Sequence, residues 1–166
     1  MKTSPNTETT LRDLLIQKLQ ALSDIEHELV KALPDMAEAA SNPSLKKGFR
    51  DHLDETRNHV CRIEDAFALM NEKPKKLKVE AIRGLVKDAK WVMKNVKGTE
   101  TLDANLIAAA RYVEHYEMAG YMGALEWART LGETKVASLL RATLAEEKKA
   151  DKTLEKAGTI INKKAV

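Results

Sequence analysis

Apolar residues recur at steps of three and four along most of the chain, and the recurrence predicts four long amphipathic helices. The first covers residues 9–40, with Leu15, Leu22, Leu29, Leu33 and Met36 on one side. "SNPS" ends it: Pro43 disfavours helix at Asn42, and Ser44 can cap the second helix, 44–70. The third covers 102–130, opened by Asp103 and closed near Gly132, and the fourth 133–161. Between the second and third, "VEAIRGLVKDAKWVMKNV" predicts a shorter helix, 80–96, with Ile82, Leu85, Val86 and Ala89 on one side. Connections that run short, long, short make the first two helices antiparallel neighbours, and likewise the last two. The long connection can cross a helix of about 42 Å. The prediction is an all-α, ferritin-like four-helix bundle with one long crossover containing an extra short helix, forming a single domain over 1–166. The halves resemble each other: "IEHEL" parallels "VEHYE", and "DETRNHVCRIE" parallels "EEKKADKTLEK".

The apolar stripe fails at one level in every long helix. Glu26 interrupts Leu15, Leu22 and Leu29. The second stripe passes through His52, Thr56 and His59, with Glu55 beside it. The third turns Glu114 and Glu117 inward, and the fourth Glu147 and Asp151. Glu55/His59 and Glu147/Asp151 are i, i+4 pairs on shared faces. Carboxylates buried together cost several kcal/mol per ion unless compensated. Protonation is one escape. Cation binding is the other: two divalent ions would offset Glu26, Glu55, Glu114 and Glu147, and oxygen and imidazole ligands suit iron or manganese.

Composition narrows the picture further. A formal charge of +3 from 28 basic and 25 acidic residues is a mixed surface, without the clustered basic face of a nucleic-acid binder. No apolar run approaches a membrane span, and "MKTSPNTETT" lacks a signal-peptide core, so neither a membrane nor a secretory route is expected. The single Cys61 excludes an internal disulfide, which fits a reducing, cytoplasmic setting.

"HLDETRNHVCRIE", "AARYVEHYEMAGY" and "LLRATLAEEKKAD" resemble the YciE/YciF-type ferritin-like family, stress-associated bacterial proteins akin to rubrerythrins and manganese catalases, over roughly Thr9 to Ala157. The resemblance implies a di-metal site with Glu26, Glu55, His59, Glu114, Glu147 and Asp151 as ligands and Glu117 as a possible extra one. It departs from the wider ferritin pattern in two places: Glu55 and His59 stand four apart instead of three, and Asp151 replaces a second histidine. The implied function is a stress-related di-metal protein, with iron or manganese, that oxidises Fe(II) or consumes peroxide, oxygen or peroxide being the small-molecule oxidant. The alternative is a non-enzymatic structural or assembly protein of the same fold with a vestigial or structural metal site. No catalytic residue is singled out. His52 is expected beside the ligands or at the bundle edge, and His115 and His27 off the core. Tyr121, Tyr112, Tyr116 and the tryptophans are expected to pack. The crossover helix, carrying Trp91, Val92 and Met93, is expected to mediate a homodimer, or else to cap its own bundle.

Overall fold

The computed structural model describes residues 8–166; residues 1–7, most of the stretch read above for a signal peptide, lie outside the described residues. Five α-helices follow in order: α1 (Leu11–Ala39), α2 (Pro43–Leu69), α3 (Glu80–Asn95), α4 (Thr99–Thr130) and α5 (Thr134–Ile161), then a 3-10 turn, Asn162–Lys164. Local chemistry sets the ends. Thr10 and Asp13 form a reciprocal capping box at the start of α1. Asn42 caps α2 through Ser44 N–H and Leu45 N–H, and Pro43 occupies the first helical position, where its missing N–H costs nothing. The cap is therefore Asn42, two residues earlier than the expected Ser44. Gly132, at φ +75°, ends α4 in a conformation that favours glycine.

α1 packs beside α2 and α4, and α5 beside the same two, which closes a four-helix ring. Fully buried Leu15, Leu19 and Leu22 of α1 meet Phe67, Ile63, Leu106, Tyr121 and Leu140 in one continuous core. α1 and α4 approach so closely that a Cβ on Gly120 would stand 3.0 Å from Leu22 Cδ2. α3 lies outside the ring against α4 and α1. Ile82 and Ala89 are buried beneath it, and Leu85, Val86 and Met93 pack partly covered on the core. The crossover is tied down at both ends. Arg12 donates to Glu72 at 2.7 Å and to the Met70 carbonyl at 2.8 Å, while Asp24 accepts from Val79 N–H and from both Nη atoms of Arg83. Among the described residues no helix is long and apolar enough to cross a membrane.

Asp103 does not open its helix, which starts four residues earlier at Thr99. Its buried carboxylate accepts the amide N–H groups of Ser41 at 2.8 Å and Asn42 at 2.7 Å, pinning the α1–α2 turn to α4. Asp103→Ala removes both bonds from these partly exposed amides, and a hydrogen bond to a charged group is worth about 1.5–3 kcal/mol at most. We expect its melting temperature to fall by about 2–4 °C for each kcal/mol lost. Asp103→Asn, which keeps one acceptor, should fall in between; thermal unfolding of the three proteins checks the order.

Candidate metal centre

The four ring helices each deliver polar side chains to one level of the core. α1 contributes Glu26, one turn beyond Leu22. α2 contributes His52 and His59 between Phe49 and Ile63, α4 contributes Glu114 and Glu117 between Ala110 and Tyr121, and α5 contributes Glu147 between Leu144 and Leu154. All six are buried, and Glu26, His59, Glu117 and Glu147 are fully so. They form two overlapping groups, Glu26–His59–Glu147 and His52–Glu114–Glu117–Glu147. Within each group one ligating atom per residue lies within 4.8 Å of the others. Glu147 is shared by both.

His59 Nδ1 stands 2.9 Å from Glu147 and 3.5 Å from Glu26. His52 Nε2 stands 3.3 Å from Glu114 and 3.9 Å from Glu147. These atoms approach without hydrogen-bond alignment. Glu26 Oε2, Glu114 Oε2, both oxygens of Glu117, both of Glu147 and the Nδ1 atoms of His52 and His59 have no hydrogen-bond partner. Buried polar atoms are nearly always bonded, so this convergence of lone pairs requires an explanation. Four carboxylates and two imidazoles are a donor set for iron or manganese, and four negative charges balance two divalent ions. On these grounds the residues fit a pair of divalent cations.

Two chains of charge lead from the surface to this layer. Arg62 grips Glu146 at 2.5 and 2.9 Å, and Glu146 faces His59 Nε2 at 2.8 Å. A carboxylate can only accept, so Nε2 carries a proton, and Nδ1 faces the buried carboxylates, where it would become a ligand on losing its own proton to an incoming cation. On the other side Lys149 reaches Glu55 at 3.1 Å, and Glu55 lies 3.6 Å from His52 Nδ1. Within the layer, Tyr121 donates its hydroxyl to Glu26.

The electrostatics follow from burial. Desolvation raises the Glu26 carboxyl and pushes those of Glu114 and Glu117 well above the usual carboxylate range, neighbouring carboxylates adding to each. Burial opposes charge on His52, but Glu55, Glu114 and Glu147 outweigh it and bring the imidazole up to about 9. His59 rises against the same opposition to about 10 through Glu147 and Glu26. Glu55 is held down to about 2 by His52, with Lys149 assisting, and Glu146 is lowered chiefly by Arg62.

The structure brings Glu26, His59, Glu114 and Glu147 of the expected ligands together, along with Glu117. It does not bring in Glu55 or Asp151. On α2 the inward position belongs to Thr56, fully buried, and Glu55 sits about 100° around the helix on the half-exposed rim. Asp151, about 40° past Glu147, turns toward α4, where Arg111 Nε binds it at 2.7 Å. His52, expected beside the ligands or at the bundle edge, stands inside the second group. Glu146 and Arg62 carried no sequence signal, because Glu146 meets a histidine 87 positions away. A second partner for a ligating imidazole is the general expectation that could have prompted a search for one. His115, off the core as expected, is mostly exposed, with Nε2 3.4 Å from Asp151.

The sequence profile of a family described as "Domain of unknown function (DUF892)" matches residues 10–166. Protein YciF of Escherichia coli K12 is 40% identical over 158 residues, covering 94% of this chain and 95% of that one. The crystal structure of the E. coli stress protein YciF superposes with a TM-score of 0.91 at 37% identity, over 95% of this chain and 99% of that one. YcfI from Rhodopseudomonas palustris, provisionally described as a structural protein, gives a TM-score of 0.87 at 35% identity, over 92% of this chain and 98% of that one.

The titration directions predict how the metal-free protein responds to pH. The raised carboxyls of Glu26, Glu114 and Glu117 destabilise the fold when ionised, and this is relieved as pH falls. His52 and His59 contribute stability that is complete below their ordinary value and lost as pH rises through about 9 and about 10. Both sets make the native state bind more protons than the unfolded chain, so stability should decline steadily from pH 6 to 9. The lowered Glu55 and Glu146 act in the opposite sense, but only below the ordinary carboxylate range. Urea midpoints of chelator-treated protein should show the decline; a flat or rising profile would mean that the layer is hydrated and its charges are screened.

Proposed function

The chain belongs to the DUF892 family, and on that premise we propose that it is a di-metal carboxylate protein of stress physiology. In this reading it holds two divalent ions, iron or manganese, and oxidises Fe(II) or consumes peroxide. The observation that carries the reading is the set of buried, unpartnered oxygens and nitrogens converging from four helices. The description of YciF as a stress protein supports the physiological part. Glu26, His59 and Glu147 would hold one ion, and His52, Glu114, Glu117 and Glu147 the other. Bound iron in its reduced form would supply one electron per ion to an oxidant.

The chain's own residues do the rest. Glu147, shared by the two groups, would contribute to both ion sites. Glu146 orients the His59 imidazole and links it to Arg62, Glu55 places a carboxylate 3.6 Å from His52 and is itself held by Lys149, and Tyr121 holds a proton against Glu26. The hydrophobic layers on either side exclude bulk water, so charge compensation comes from the site itself. The description of YcfI favours a second reading, a structural protein whose metal only stabilises the fold.

Reconstitution with Mn(II) or anaerobic Fe(II), followed by elemental analysis, tests the site. Wild type should retain about two ions per chain, Glu26→Ala about one, and Glu147→Ala fewer than one. Binding should also raise the melting temperature, since only the native state assembles the ligands. Wild-type protein that retains no metal overturns the reading. Protein that retains two ions yet consumes neither Fe(II) with oxygen nor peroxide supports the structural alternative.

We also propose a homodimer. Most of the apolar surface of α3 is spent on its own bundle, which leaves Trp91 as the large exposed anchor on that helix. Sedimentation equilibrium should find a dimer that Trp91→Glu dissociates; a folded variant that still dimerises places the interface elsewhere.

A further inference from the structure

A cleft of about 160 Å³ opens between α2 and α5 and ends at one side of the buried polar layer. Its walls are apolar: Leu33, Phe49, Ala110 and Leu154. Its floor is polar, formed by the buried His52 and Glu114. At the mouth stand Asp51 and the Glu55–Lys149 ion pair. Gly48 completes the wall from the middle of the first turns of α2. Glycine is a poor residue inside a helix, and no heavy atom lies within 4 Å of where its Cβ would be, so packing does not require it there. What its absent side chain does is keep the cleft open.

We propose that this cleft is the substrate subsite of the metal centre, and that it selects a compact molecule with an apolar body and one oxygen-bearing end, of the class of small organic hydroperoxides. The assignment rests on the di-metal reading for its chemistry and on the cleft for its selectivity. A cavity of about 150 Å³ lined by aliphatic and aromatic side chains accommodates benzene, so the space here admits a short alkyl or single-ring body. Hydrogen peroxide has no apolar surface to bury against Phe49 and Leu154. A hydrated divalent ion would have to shed water against the same walls, which is costly. An organic hydroperoxide satisfies both ends, its body against the walls and its O–O end toward His52 and Glu114. Reduction would break the O–O bond, taking up two protons and two electrons that a reduced metal pair would supply, and release the corresponding alcohol and water.

Two arms separate the subsite from the metal reading. In the first, metal-free protein is titrated with benzyl alcohol, a redox-inert probe of the same shape class, and with glycerol as the polar control, while methyl and aromatic NMR signals are followed. Benzyl alcohol should shift Phe49, Leu33 and Leu154, glycerol should not, and Gly48→Leu should weaken the binding about tenfold or more. Ala150→Leu, which fills the same space from α5, serves if Gly48→Leu does not fold. In the second, protein loaded anaerobically with Fe(II) is mixed with excess tert-butyl hydroperoxide or hydrogen peroxide, and the single-turnover oxidation of the iron is followed. The filled variant should raise the half-saturating concentration of the organic peroxide about tenfold and leave that of hydrogen peroxide within about twofold. No shift at the cleft residues with benzyl alcohol, or an equal loss with both peroxides in a variant that melts like wild type, overturns the subsite. Failure to bind metal leaves the first arm to decide the cleft alone.

Discussion

Four carboxylates, those of Glu26, Glu114, Glu117 and Glu147, share one dry level of the bundle with only two imidazoles to offset them. Taking ions out of water costs several kcal/mol each, and like charges at this range add to it. The core on either side is ordinary: leucines, isoleucine, phenylalanine and alanine pack around the level from all four helices. The molecule therefore has a hydrophobic framework strong enough to hold an arrangement that is unfavourable without cations or protons. The raised carboxyl and imidazole titrations are two expressions of that one constraint, and the proposed metal pair is a third.

The arrangement has an approximate symmetry that the ligands alone do not show. On each side of the layer a surface cation holds a half-buried carboxylate, and that carboxylate faces a buried histidine: Arg62, Glu146 and His59 on one side, Lys149, Glu55 and His52 on the other. Glu146 is held chiefly by its cation Arg62, whereas Glu55 draws chiefly on His52 with Lys149 assisting. A ring flanked by a carboxylate on the outside presents its other nitrogen inward in a defined orientation. The residues that aim the histidines are thus as much part of the site as those that could ligate.

The two sides differ in access. Glu26, His59 and Tyr121 are sealed beneath the core, while His52 and Glu114 form the floor of the cleft between α2 and α5. A site with one closed and one open side can keep water from most of its charge while admitting a small molecule to the rest. Asp103 and Arg12 lie away from this level, and Asp24 with Arg83 lies beside it on the outer side of α1; together they hold the helices in register around it.

The sequence by itself determined the helices, their pairing and the level at which the core turns polar. These are local facts, visible because apolar residues repeat every three to four positions and because Glu26, His59, Glu114 and Glu147 break that repeat. It also carried the family, through motifs spread over most of the chain. It could not say what an inward-facing charge meets on another helix. The α2 stripe itself runs through His52 with Glu55 beside it, and the packed bundle keeps that order, against the ligand set that the family resemblance implied. Asp151 shares the face of Glu147 on an isolated helix, but Arg111 on α4 captures it. Glu146 was assigned its place by His59, on a helix distant in sequence. Helix periodicity resolves a face to roughly the width of one side chain, whereas a buried charge is placed by whichever partner lies within about 3 Å. That distance is set only when the helices have packed.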